Sequence, residues 1–99
     1  MMIGKYVIVR CKDAGVHAGV LESYQGRECT LTDSRRLWYW KVPIGCSAFL
    51  SGVANHGLDN DSKVGASVIR IILTENCEII ECTSAAENSI RGIKSHDRR

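Results

Sequence analysis

The sequence predicts an α+β domain: a small curved antiparallel sheet or partly open barrel of about six strands, with one short inserted helix and a C-terminal helix. Three observations carry this. Short runs rich in β-branched residues, separated by turn residues, fill the chain up to Pro43. Beyond Pro43, apolar residues take helical spacing twice, around Val53 and around Ile90. Finally, 99 residues make one domain, with a thin core that buries roughly 60–70% of the surface an unfolded chain exposes.

Residues 5–11 alternate, with Val7, Val9 and Cys11 on one face and Tyr6, Ile8 and Arg10 on the other. Lys12-Asp13-Ala14-Gly15 is turn chemistry. Residues 16–22 follow as a strand, Val16, Ala18 and Val20 against His17, Gly19 and Leu21. Gln25-Gly26 turns the chain into a third strand at 28–32, with Cys29 and Leu31 inward. Asp33-Ser34 reads as another turn, and residues 35–42 as a fourth strand ended by Pro43. Together these make an antiparallel meander.

In residues 47–55, Phe49, Leu50 and Val53 predict a helix, with Ser47 as its N-cap and His56-Gly57 as its stop. Residues 58–64 read as a polar loop. Its Asp59, Asn60 and Asp61 lack the glycine and distal glutamate of a calcium loop and form a solvated turn. Residues 68–73 and 77–82 are two more strands, joined as a hairpin through residues 74–77. Ser84-Ala85-Ala86-Glu87 has the form of a capping box, and Ala86, Ile90 and Ile93 share one helical stripe. The domain runs over residues 1–93, and residues 94–99 are a polar basic tail.

Composition excludes several classes of function. Thirteen basic and eleven acidic residues leave a net charge of +2, too balanced to mark a nucleic-acid or membrane partner. No apolar run approaches the ~20 residues of a membrane span, and none near the start suits a signal peptide. A soluble protein made without export is expected. Five scattered cysteines, without a C-x-x-C pair, favour reduced thiols over disulfides or a structural zinc. No nucleophile elbow, metalloprotease or phosphate-loop pattern occurs, so no catalytic residues, metal or cofactor are expected.

The informative segment is Arg35-Arg36-Leu37-Trp38-Tyr39-Trp40-Lys41, which holds both tryptophans and three of thirteen basic residues. On a regular strand Arg36, Trp38 and Trp40 share one face, and Arg35, Leu37, Tyr39 and Lys41 the other. One reading is plain core packing, since the chain has a single Phe. A second is a platform for a planar anion: indole and phenol stack a ring, and arginine forks bind phosphate. A third is a subunit contact, for which Trp, Tyr and Arg are also the favoured residues. Arg10, on the face of Tyr6 and Ile8, and Arg70, in an apolar strand, are candidates to complete the charge.

Val9-Arg10, Ala14-Gly15-Val16, Gly19, Arg35-Arg36 before Trp38-Tyr39-Trp40, Leu73-Thr74-Glu75, Glu78-Ile79-Ile80 and Cys82-Thr83 resemble a family of small tailed-phage and prophage proteins. That resemblance spans residues 6–90 and implies a phage accessory protein working in the host cytoplasm. It favours binding without turnover. The expected role is a homo-oligomer of anti-defence type that sequesters a nucleotide-like small molecule. Arg35 and Arg36 would clamp phosphate, with Trp38, Tyr39 and Trp40 stacking the ring and Arg10 or Arg70 adding charge. The alternatives are a single-stranded nucleic-acid binder, and a phage structural or host-interaction protein whose aromatic face is a subunit contact.

Overall fold

The computed structural model describes residues 2–96. The architecture is the α+β one that the sequence predicts, with six antiparallel strands in an open sheet and two helices. The strands are β1 (Tyr6–Cys11), β2 (Gly15–Gln25), β3 (Glu28–Tyr39), β4 (Lys63–Val64), β5 (Val68–Leu73) and β6 (Asn76–Glu81); the helices are α1 (Leu50–His56) and α2 (Ser84–Gly92).

The six strands are not the six that the alternation predicts. Asp33-Ser34 does not turn the chain. In the β2–β3 register, Ala18 faces Arg35 and Val20 faces Thr32, so Gly19 alone spans Asp33 and Ser34. This is a β-bulge, with Asp33 at φ 49°, a left-handed conformation that aspartate tolerates better than most residues. Turn chemistry therefore kinks one long strand instead of ending it. Gly19 is what makes room: a Cβ there would lie 2.9 Å from the Thr32 carbonyl oxygen and 3.1 Å from the Ser34 Cα. The sixth strand is β4, two residues within the segment read as a polar loop. There Asp59 instead closes a short turn, its Oδ1 accepting the Asp61 N–H at 2.9 Å.

The expected hairpin at residues 74–77 is also absent. β5 pairs with β3, whereas β6 pairs with β1 on the far side of the sheet. The sheet order is β4-β3-β2-β1-β6, with β5 also paired to β3, so β5 and β6, adjacent in sequence, lie at opposite edges. The Thr74-Glu75 corner draws the two edges together at one end, and the sheet curls without closing. Inside the curl, Val7, Val9, Cys11, Leu21, Cys29, Leu31 and Leu73 form one core. On the outer face, Tyr6, Ile8, Val16, Ala18 and Leu37 pack beneath Val53, Ala54 and Leu58 and beneath Ile90 and Ile93 of the C-terminal region.

Of the two helices, only α2 begins on a side-chain cap. α1 starts at Leu50 with Phe49 in the cap position; Ser47 Oγ only accepts the Phe49 N–H at 3.3 Å, one turn early. For α2 the cap is Thr83, one residue before the expected Ser84: its Oγ1 accepts the Ala86 N–H at 3.1 Å and donates to the Asn55 carbonyl at 2.8 Å. Glu87 pairs with Arg91 at 2.8 Å instead of closing a capping box. The stripe of Ala86, Ile90 and Ile93 is buried as expected. Gly57, at φ 89°, ends α1 and lets the chain pass against Ser89 of α2, whose Oγ both accepts from Leu58 N and donates to Leu58 O.

Candidate functional site

The residues of the 35–41 segment are separated by the fold. Arg35, 7% exposed, turns under the end of α2. Its Nη1 donates to the carbonyls of Ile90 at 2.8 Å and Ile93 at 2.6 Å, and its Nε donates to the Gly65 carbonyl at 2.8 Å. The last carbonyls of a helix lack backbone donors and sit at the negative end of the helix dipole. One guanidinium satisfies them here. Arg35 is therefore a structural cap: its Nε and Nη1 are committed to backbone carbonyls rather than to the phosphate expected for it. Burial pushes its pKa below the ordinary arginine value, yet a guanidinium remains charged.

The alternation of faces also fails. Leu37 pairs with Val64 and Tyr39 with Lys63, so Trp38 and Tyr39 together oppose Lys63 in a second irregularity of β3. Regular pairing ends at Tyr39. Trp40 leaves the sheet and packs against the outer core, beside a groove of about 410 Å³ shared with Arg10, Phe49, Leu50 and Ile80. The three aromatics thus do not form one platform. Arg10 pairs across the sheet with Glu78 at 2.9 Å, and Arg70 meets Glu22 at 3.0 Å. Both pairs are exposed, and each contributes at most about 1 kcal/mol. Arg36 faces His17 across β2 and β3 and lines a small cavity with Ser34.

What the fold does assemble is a lysine and a histidine ring beside Trp38, which is 44% exposed next to Tyr39 at 45%. Lys63 Nζ lies 5.9 Å from the centre of the Trp38 ring, within cation–π range. The His96 ring is 5.3 Å away, tilted by 57°. His96 is held there by its backbone, which donates to the Val64 carbonyl at 2.9 Å. Lys63, Lys94, Ser95 and His96 line an open groove of about 370 Å³ with Asn60, Asp61 and Ser62. Among the described residues, no carboxylate lies within ion-pairing distance of Lys63 or Lys94; Asp61 is turned to Lys41 at 3.7 Å.

Lys63, Lys94 and His96 are the residues that sequence reasoning missed. A strand of two residues leaves no alternation to read, and residues 94–96 read as part of a tail. Part of that segment, Lys94 to His96, is described and folds back along β4; the remaining tail residues, 97–99, lie outside the described residues.

A family model described as Domain of unknown function (DUF6948) matches residues 4–90. The chain belongs to the DUF6948 family. No curated protein and no solved structure matches it. The matched span covers all six strands of this DUF6948 domain and most of α2, including Arg35 and Trp38, and ends before Lys94 and His96.

The remaining chemistry of the DUF6948 domain is dispersed. Its five cysteines are free thiols, Cys77 exposed and Cys11 and Cys29 buried; burial pushes the Cys82 thiol up to about 12. Among the described residues, no three His, Cys, Asp or Glu side chains converge in a metal-binding group, and no helix is long and apolar enough to cross a membrane. Tyr6 is buried under Arg91, whose guanidinium carbon lies 4.9 Å from the ring centre, and burial raises its pKa to about 12.

His17 provides a pH test. It is 1% exposed, and burial holds its pKa below the ordinary 6.5, with Arg36 acting in the same direction. Between that depressed value and 6.5, the unfolded chain binds a proton that the folded chain refuses. Stability therefore falls as pH drops below about 6.5 and is level in His17 above it. Urea denaturation between pH 5 and 8 is expected to show this slope, and His17→Gln is expected to flatten it.

Proposed function

We propose that this DUF6948 domain is a non-catalytic binding protein that captures a nucleotide-like anionic small molecule on Trp38. The observation that carries the reading is the Lys63 ammonium 5.9 Å from the Trp38 ring centre, beside a groove bearing a second lysine. A half-exposed indole stacks a planar ring for about 1–3 kcal/mol. Lys63 and Lys94 take the phosphates, and Tyr39 extends the aromatic surface. The roles first expected of Arg35 and Trp40 are replaced by residues from β4 and the C-terminal segment. Homo-oligomer formation belongs to the same proposal, supported by Val68, Ile69 and Ile72, which leave β5 with an exposed apolar edge. So does a phage accessory role in the host cytoplasm, which rests on the sequence resemblance alone.

The test is calorimetric titration with a nucleoside monophosphate, a cyclic dinucleotide and a short oligothymidylate, with native mass spectrometry reading subunit number. Trp38→Ala is expected to weaken small-nucleotide binding by at least about tenfold, and Lys63→Ala to weaken it while leaving the fold intact. Failure of every small nucleotide to bind refutes the reading. Binding of the oligonucleotide alone, with a steep salt dependence, replaces it with single-strand recognition.

A further inference from the structure

A second, smaller cavity lies across the sheet from the helices, at the bulge of β3. It measures about 170 Å³ and is lined by His17, Ser34, Arg36, Ala66, Val68 and Ile71. Ser34 is 1% exposed, and its Oγ has no hydrogen-bond partner among the described residues. A buried hydroxyl without a partner is rare in a folded protein and calls for one. Ser34 sits in the β3 bulge opposite Gly19.

His17 supplies the complementary group. Its Nε2 lies 2.9 Å from the Ala14 carbonyl oxygen. A carbonyl only accepts, so Nε2 carries the hydrogen and Nδ1 is left as an acceptor. Arg36, paired opposite His17 and exposed, brings the donors of a guanidinium, and no carboxylate ion-pairs with it among the described residues. Ala66, Val68 and Ile71 are apolar.

We infer that this cavity binds a short-chain 2-hydroxycarboxylate. Arg36 takes the carboxylate through paired N–H bonds, with Ser34 Oγ–H donating to one of its oxygens. The ligand hydroxyl donates to His17 Nδ1, and a short alkyl chain rests on Val68 and Ile71. The volume equals that of roughly five or six water molecules, far below the ~300 Å³ at which drug-sized ligand pockets begin. The cavity is too small to enclose a nucleotide and shares no lining residue with the groove beside Trp38.

The test uses 2-hydroxybutyrate, with butyrate as the probe lacking the hydroxyl, followed by nuclear magnetic resonance of the His17 ring and by calorimetry. Wild-type protein is expected to bind 2-hydroxybutyrate at least about tenfold more tightly than butyrate, since the unmet His17 acceptor penalises the latter. Ser34→Ala and Arg36→Ala are each expected to lose at least about tenfold in affinity. Neither is expected to unfold the domain, because Ser34 Oγ makes no bond among the described residues and Arg36 is exposed. Trp38→Ala is expected to bind 2-hydroxybutyrate as wild type does, so the two sites stand or fall separately. The inference is overturned if 2-hydroxybutyrate at millimolar concentration leaves the His17 resonances unmoved. It is equally overturned if butyrate binds as well, or if binding survives Ser34→Ala or Arg36→Ala.

Discussion

Arg35→Ala is expected to lower the unfolding free energy by about 3–5 kcal/mol, the cost of leaving several buried carbonyls without a donor. Against a typical total of about 5–15 kcal/mol, that threatens folding at physiological temperature. Removing the side chain leaves the carbonyls of Gly65, Ile90 and Ile93 without this donor. It also releases the end of α2 from the segment leading into β5. Arg36→Ala, one residue on, removes the same charge from an exposed position and is expected to stay within about 0.5 kcal/mol of wild type. Urea unfolding of the pair separates the two arginines that the sequence presents as equivalent. Equal stabilities would show that Arg35 does not cap the helix.

Gly52→Ala is the second large effect, and its sign opposes helix propensity. Alanine exceeds glycine in a helix interior by about 1 kcal/mol, so propensity alone predicts stabilisation of α1. In the fold, a Cβ at Gly52 would run into the Ser47 carbonyl, with the Ser47 carbonyl carbon at 2.7 Å and its Cα at 3.1 Å. These are backbone atoms, so relief requires moving the chain ahead of α1. That segment joins α1 to Trp40 and Val42, which pack on the outer core. A net loss of about 1–3 kcal/mol is expected, as for an overpacked core. Gly92→Ala, at the last position of α2 with nothing within 4 Å, is the control and is expected to be neutral or stabilising. Thermal or urea unfolding of both variants decides the matter.

These two residues show where the sequence could be read and where it could not. β1 and β5 fill the runs that β-branched residues mark, and the stripe on α2 keeps helical spacing because burial of one helix face imposes that periodicity. Asp33-Ser34 carried turn chemistry and became a bulge. Backbone preference for a left-handed residue is common to turns and bulges, and the pairing partner decides between them. The hairpin at residues 74–77 failed for a similar reason. A tight corner fixes the chain's direction but not which strand each arm will join.

The candidate site was half legible. Trp38 and Tyr39 stand out in the sequence because large aromatics clustered with cations are rare in this chain. Lys63, Lys94 and His96 do not, since a short strand and a polar terminus carry no periodicity. Arg35 was misread for the same chemistry that made it conspicuous: a guanidinium binds carbonyls at a helix end as readily as it binds phosphate.

By itself the sequence determined the fold class and the stripe by which α2 docks. Each follows from local patterns of size, polarity and backbone preference. Tertiary structure alone decided which edge β5 and β6 join, which arginine is buried and which side chains meet at Trp38. Those outcomes depend on contacts between positions far apart in the chain, Arg35 with Ile90 and Trp38 with His96 among them.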